Sequence, residues 1–571
     1  MAISRSWFCC LVLLTLGIVA GVVVLLVILA RQPAPPCPGG FQHAAVAADA
    51  PVCSDIGRAI LEQGGSAVDG AIASLLCCSV MNPQSMGLGG GVIFTIYNAS
   101  TGAVEVINAR ETVPKNVSPS LLNNCVNKGY FLYPGPHWIG VPGELRGYEV
   151  AHKRHGKLPW RTLFEPTIRL ATEGFPVPAV LNSFLNHSML KPFFLNTSIC
   201  QVFCKDGDVL RKGDILKLPA LAETLRLVAE GGADAFYKGP LAQKIVEDDR
   251  RAGGTMTLDD LKNFQVEIVP ALNVSLGKYT LYSPPPPAAG PILSFILNIL
   301  KGYNFSPDSV KGTSAKVETY HRIIEALKFA NGQKSKILDP RFTNLKEDID
   351  TLVSDSFADF ARSRIDDSGN HNLSYYNISQ PARDGPGTSH LSVIAKDGSA
   401  VSVTSTINYV FGSTVYSPQT GIIFNNELAD FCNLFPRRRI SEGERPTSAM
   451  TPSILISNDK KSVISIGGAG GDMITSATAL AIINKLWFGH SLEKAISTPT
   501  VYVSRGNELY SEYDLVKDQN GFEDTKRGLE AKGHRFLKRP FFLNVVQAVA
   551  KEGTCVYAES DKRKRSRAAG Y

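Results

Sequence analysis

The sequence predicts one mixed α/β body, and three observations carry that reading. Helical and strand-like patterns alternate through the middle of the chain with no distinct boundary between them. Hydrophobic residues make up 44% and charged residues 19% of the 571, a balance that suits a chain with a buried core. Third, a hairpin pattern follows a glycine-proline stretch. Leu391 and Val393 alternate with Ser392 and Ile394, Asp397-Gly398 gives a two-residue turn signal, and Val401 to Thr406 returns as the second strand. The length would serve three or four average domains, but large α/β folds often run as one.

In chain order, Trp7 to Ala30 is an apolar run without charge, long enough to span a ~30 Å hydrocarbon core at ~1.5 Å per residue. It lacks the short apolar region and small-x-small cleavage site of a secretory signal. It reads as a transmembrane signal anchor over 7–30, with a cytosolic tail at 1–6, a linker at 31–42 and the remainder extracellular: a single-pass type II protein of the plasma membrane. Sequons at Asn98, Asn116, Asn186, Asn196, Asn273, Asn304, Asn372 and Asn377 favour that placement. Two of the 11 cysteines lie in the anchor, which leaves an odd nine beyond it, so at least one has no partner within the chain. Ser54 to Gln63 predicts a helix, Gly64-Gly65 a break, and Ser66 the cap of a second helix to Val80. Folded back as an αα-hairpin, these helices bring Cys53 near Cys77. Cys200 and Cys204 come within bridging distance if their turn is helical. Pro219 to Glu230 and Val317 to Ala330 predict helices; Val92 to Tyr97 and Val104 to Asn108 predict strands.

The net charge is +7, but Lys562 to Arg565 and Arg567 hold five of the positive residues. The body is close to neutral and predicts no nucleic-acid surface; the basic run reads as a solvated tail. No internal repeat, P-loop or metal-spaced His/Cys cluster is evident, so no cofactor and no metal are expected.

The hairpin places Thr388 opposite roughly position 407, within about one residue of Thr406, with a bulge deciding which faces match. A threonine at a loop-strand junction beside a second hydroxyl has the geometry of an activated nucleophile. From the hairpin alone, a surface ribbon with β-branched residues is the plainer alternative. The wider sequence changes the balance. Gly387 to Ser392 with Thr406-Ile407-Asn408, Asn82 to Gly91, Val106 to Glu111, Val141-Pro142-Gly143-Glu144, Phe424 to Asp430, Gly467 to Gly471 and Ala568 to Tyr571 together resemble the γ-glutamyltransferases (glutathione hydrolases). That family belongs to the N-terminal-nucleophile hydrolases, and its blocks run in order from about residue 43 to the end. Tyr282 to Pro287 and Arg539 to Val546 look most like the leukotriene-processing branch.

The resemblance implies an αββα sandwich of two antiparallel sheets between helical layers. It implies self-cleavage between Gly387 and Thr388, giving a large chain (43–387) and a small chain (388–571) that remain associated as a heterodimer. The freed α-amine of Thr388, with a reference pKa of roughly 7.7–8.0, becomes the base for its own hydroxyl, because a threonine alone is a poor nucleophile. Thr406 positions Thr388. Gly385 and Gly387 let the backbone adopt the strained conformation the cut requires. Ser462 to Ile466 reads as a strand, Gly467 to Gly471 as a loop and Ile474 onward as a helix; by resemblance Gly470 and Gly471 donate to the oxyanion. A γ-glutamyl group ends in an α-carboxylate and an α-ammonium, so its site needs a cation and an anion a few ångströms apart. Arg110 with Ser448 is expected on the carboxylate, and Glu427 and Asp430 with Asn408 on the ammonium. The resemblance also supports the pairs Cys53–Cys77 and Cys200–Cys204.

Expected donors are glutathione, its S-conjugates and leukotriene C4, with water, amino acids or dipeptides as acceptors. Two departures bear on affinity: Ser448-Ala449 replaces the paired serines of the family, and Val410 stands where a tyrosine is usual. The rival readings are another amidase of the same superfamily, such as a β-lactam acylase-like enzyme, and a non-catalytic glycoprotein ectodomain.

Overall fold

Two antiparallel sheets lie face to face, and the hairpin runs through the first of them. That sheet has seven strands in the order Ala569–Gly570, Ala45–Ala47, Gly387–Ile394, Ala400–Asn408, Gly91–Tyr97, Val104–Ala109, Glu267–Pro270. The second has six: Cys555–Ser560, Val545–Glu552, Ser462–Ala469, Ser453–Ser457, Tyr279–Ser283, Leu272–Leu276. The helices Pro51–Glu62 and Ala67–Met81 cover the outer side of the first sheet, and Gly290–Lys301 and Met473–Leu486 cover that of the second. This computed structural model describes residues 16–22, 37–125, 134–378, 387–434, 439–504, 506–515, 522–538 and 544–571. Of the predicted anchor, only 16–22 is described, as helix; the rest lies outside the described residues. Among the described residues no helix is long and apolar enough to cross a membrane.

The hairpin is buried at every position of both strands, so it is not a surface ribbon. Its alternation separates two kinds of interior. Leu391, Val393, Val401 and Val403 join the apolar core shared with Ala67–Met81. The intervening residues face the second sheet and bond to it: Ser402 Oγ donates to the Ile466 carbonyl at 2.9 Å, and Ser465 Oγ returns a bond to Val401 at 2.7 Å. The layer between the sheets is therefore part polar, and these buried hydroxyls are accommodated there because they are paired.

Local signals explain the helices. Ser66 and Asp69 form a reciprocal capping box that starts Ala67–Met81. Pro219 occupies the first turn of Pro219–Gly231, and Gly312–Asn331 extends the predicted helix by about a turn at its start. The hairpin connection differs from the expected two-residue turn. Ile394 pairs with Ala400, and Ala395 N donates to Ser399 O, leaving a three-residue loop with Gly398 left-handed at φ +85°. The shift lowers every cross-strand partner by one and sets Thr388 opposite Thr406.

Four disulfides form among the described residues: Cys53–Cys77, Cys200–Cys204, Cys37–Cys555 and Cys125–Cys432. Cys78 is a buried thiol, and burial pushes its pKa far up. The last two bridges join residues on opposite sides of the expected cut. The two chains would then remain covalently linked as well as sharing a sheet. A cleaved preparation should run as one band of full mass without reductant and as two bands with it; separation without reductant would exclude both bridges.

Candidate active site

Thr388 stands at the head of a strand with its hydroxyl turned to Thr406 across the ladder. The two Oγ1 atoms are 3.2 Å apart. Thr406 Oγ1 donates to the Gly387 carbonyl at 2.6 Å and accepts from Asn408 N at 2.8 Å. Its one proton is thus committed to Gly387, so the Thr388 hydroxyl must donate in the pair. The ladder skips a residue between Gly387 and Thr388, pairing Gly387 with Asn408 and Thr388 with Thr406, and Ile407 bulges out. A Cβ on Gly387 would lie 2.4 Å from the Tyr409 carbonyl, so the bulge requires glycine for space. No left-handed φ is involved at Gly387, contrary to the strain expected there. Gly385 lies outside the described residues.

The oxyanion candidates sit at the end of a strand of the facing sheet. The predicted glycine loop is shorter than expected, because Gly467 and Gly468 belong to the strand Ser462–Ala469. The His390 ring from the hairpin explains Gly467: a Cβ there would meet it at 2.4 Å. Ser465 lies against Val401 and Ile466 against Ser402, so successive residues advance toward the Thr406 end. Gly470 and Gly471 follow at φ +130° and +61°, and the helix Met473–Leu486 begins directly after them. Backbone N–H groups at a helix start suit a developing negative charge.

Arg110 directly follows the strand Val104–Ala109 and is almost fully buried. Its guanidinium reaches Glu427 Oε1 at 2.5 Å and Asp430 Oδ2 at 2.7 Å, and it donates to the carbonyls of Pro446 at 2.8 Å and Thr447 at 2.6 Å. Asn408 Nδ2 donates to Asp430 Oδ1 at 3.0 Å, tying the hairpin to this cluster. The expected cation and anions are therefore together, and without substrate they neutralise each other. Glu111, which the sequence reading did not single out, adds a third buried carboxylate 3.9 Å from Arg110. Three acids face one guanidinium. Burial pushes Glu427 well up and Asp430 to about 7, Glu427 adding to the latter, while Arg110 pulls both back; burial likewise lifts Glu111 to about 8. Burial works against the Arg110 cation, but Glu427, Asp430 and Glu111 outweigh it and hold its pKa above the ordinary value.

Ser448 lies nearby in the stretch that receives Arg110, and its Oγ accepts from Met450 N at 3.2 Å, leaving its proton available. Ala449 packs against a small cluster containing Ala288, Met450 and Ile474. Val410 faces the main apolar core, whereas Tyr409 packs with Leu428, Ala429 and Phe431 behind the turn that carries Glu427 and Asp430. The displaced tyrosine thus supports that turn from the rear.

The basic C-terminal run departs most from expectation. It is not a solvated tail. Arg563 is paired with Glu512 and Asp561, and buried Lys564 donates to the Thr388 carbonyl at 2.8 Å while contacting Asp49. His390 is also buried, with Nδ1 2.8 Å from Thr404 Oγ1, and burial followed by the Lys564 charge pushes its pKa down to about 3. It is neutral at working pH. One group of metal-type donors occurs among the described residues, where His321, Glu325 and His534 lie within 4.8 Å of one another. Lys328 already fills the cation's place, 2.9 Å from Glu325 and 3.3 Å from His534 Nδ1. With Lys328 as donor, His534 passes its other N–H to His321, and His321 passes its own to the Asp366 carbonyl. That chain leaves no nitrogen lone pair for a metal.

A two-sheet sandwich with a threonine heading an inner strand defines an N-terminal-nucleophile hydrolase type of fold. The chain matches the gamma-glutamyltranspeptidase family over residues 53–571 and belongs to it. It is an enzyme of the glutathione hydrolase kind. It is 52% identical over 584 residues to the human protein named glutathione hydrolase 5 proenzyme, covering 98% of each. The rat protein of the same name is 50% identical over 582 residues, covering 100% of each. Among solved structures, cephalosporin acylase from Bacillus halodurans superposes with a TM-score of 0.81 at 25% identity, over 95% of this chain and 98% of that one.

The ionic cluster predicts a pH effect on binding. Because the Asp430 pKa is raised to about 7, its carboxylate form is lost as pH falls through that value. KM for γ-glutamyl donors should therefore rise progressively below pH ~7, and Asp430→Asn should weaken binding and flatten that rise. An unchanged KM profile in Asp430→Asn would remove Asp430 from the ammonium site.

Proposed function

We propose that the chain cuts itself between Gly387 and Thr388 and then removes or transfers γ-glutamyl groups through an ester on Thr388. The observation that carries this reading is the Thr406 hydroxyl, which accepts from Thr388 and donates to the Gly387 carbonyl. It polarises the carbonyl to be attacked and holds the attacking oxygen. Attack of Thr388 Oγ on Gly387 C breaks the peptide bond, the proton passing to the Thr388 nitrogen, and water opens the resulting ester. The freed α-amine then takes the hydroxyl proton when Thr388 attacks a γ-glutamyl amide. It gives a proton to the departing amine, leaving a γ-glutamyl ester that water or an acceptor amine resolves. Gly470 and Gly471 stabilise the oxyanion in both halves.

Substrate recognition is an exchange of ion pairs. The α-carboxylate takes Arg110 with help from Ser448, and the α-ammonium takes Glu427, Asp430 and Asn408. An acyl group without both charges would leave Arg110 on its own acids. The donors we propose are glutathione, its S-conjugates and leukotriene C4, the last becoming leukotriene D4. The apolar run Trp7 to Ala30 would anchor the protein in the plasma membrane with its catalytic body outside. Exposed asparagines at 116, 273, 304, 372 and 377 support glycosylation. Asn186 is a poor acceptor, because its Nδ2 is spent on the carbonyls of Leu210 at 3.0 Å and Asn182 at 3.3 Å.

Thr388→Ala should leave an uncut chain without γ-glutamyl activity, and Thr388→Ser should keep some cutting. Two-chain processing in Thr388→Ala would overturn the self-cleavage. Ala449→Ser should restore a second hydroxyl beside Ser448. A hydrogen bond to a charged group is worth roughly 1.5–3 kcal/mol, so KM should fall by about tenfold or more while kcat changes little. An unchanged KM would take position 449 out of the carboxylate site.

A further inference from the structure

Lys564 is a buried ammonium placed against the backbone of the expected nucleophile. Its position follows from a short turn. Asp561 caps the 3-10 turn Lys562–Lys564, its side chain accepting from Arg563 N, and Arg565 follows in a left-handed conformation at φ +53°. That geometry turns Lys564 inward while Lys562 and Arg565 stay exposed. Nζ donates to the Thr388 carbonyl at 2.8 Å and forms an ion pair with Asp49. Asp49 lies just beyond the strand Ala45–Ala47, and its other oxygen accepts from Gln547 Nε2 at 2.6 Å. Gln547 in turn pairs with Gly467, and its Oε1 accepts from Asp561 N at 3.0 Å. Five segments of both sheets are thus joined at one carbonyl.

We propose that Lys564, held by Asp49, is a positioning residue for Thr388: its ammonium fixes the Thr388 carbonyl and keeps the α-amine freed by cleavage in its neutral, base form. This rests on the self-cleaving reading above. The carbonyl and the α-amine belong to the same residue, so the Lys564 charge lies only one backbone unit from the amine. A like charge at such range disfavours protonation. Asp49 opposes the effect, but its carboxylate is engaged by Lys564 and Gln547, whereas Lys564 bonds Thr388 directly. The other titratable groups around Thr388 act less. His390, two residues along the strand, is neutral, and Cys78 on the helix Ala67–Met81 is a protonated thiol. Glu144 meets Ser405, whose side chain lies on the other face of the neighbouring strand. Glu111 flanks Gly91, the partner of Thr406, and Asp430 acts through Asn408; substrate binding engages Asp430 and Arg110.

The pH dependence of kcat at saturating glutathione tests this, because the clamp is then occupied and the α-amine sets the acid limb. Lys564→Met should move that limb up by about half to one pH unit, Asp49→Asn should move it down, and Lys564→Arg should restore the wild-type position. Opposite shifts in two variants cannot come from general damage. If Lys564→Met remains uncut, Asp49→Asn and Lys564→Arg decide the matter. A limb that stays fixed in the cleaved, active variants, or moves the same way in both, overturns the role of Lys564 and leaves the Thr388 mechanism standing. A wild-type chain that is uncut and inactive would instead remove the reading on which the proposal rests.

Discussion

The Thr406 hydroxyl is the constraint on which the site depends. It has one proton, and Gly387 takes it. That choice forces the Thr388 hydroxyl to donate, which aligns the proposed nucleophile along the ladder. It also goes with the bulge that expels Ile407 and sets Gly387 against Asn408, beside the Thr388–Thr406 pair. The bulge requires a residue without a side chain at 387. Around this point the sandwich supplies rigidity: apolar packing on the helical side of the hairpin, and paired hydroxyls between the sheets. A network of this kind in a low-dielectric interior holds one arrangement firmly, because each unpaired alternative strands a buried polar group.

The charged clamp follows a similar logic. Burying Arg110 alone would be costly, and burying Glu427, Asp430 and Glu111 without it would be more so. Together they are tolerated, with protons rather than counter-ions absorbing the excess of acid. A zwitterionic end group substitutes for this internal pairing only if it brings both charges. On the proposed reading, selectivity arises from what a partial ligand would leave unpaired, and burial, against the pull of Arg110, brings Asp430 and Glu111 near neutrality.

Much of this was legible in the sequence, though unevenly. The capping box at Ser66, the proline at 219 and the alternation through 391–403 are local signals, and they fold as local signals should. The register error of one came from reading Asp397-Gly398 as the whole turn when Gly398 is the left-handed end of a three-residue loop. Gly467 looked like loop because its reason for being glycine, the His390 ring, comes from another strand. The basic run at 562–565 looked solvated because its acids, Asp49 and Glu512, are far away in sequence. Bridges separated by 307 and 518 residues are likewise invisible to spacing rules. The misses are thus long-range pairings, whose cause lies in tertiary contact. The charge clamp was found through resemblance; Arg110 and Asp430 carry no local sign of their partnership.

The most direct measurement is the location of the covalent intermediate. The purified, cleaved protein can be mixed with a γ-glutamyl donor and quenched in acid within the turnover time, and its reduced small chain analysed by peptide mass. The account predicts a small chain that begins at Thr388 and carries one γ-glutamyl group on that residue. A γ-glutamyl group on any other side chain, or an active small chain beginning elsewhere, would contradict it.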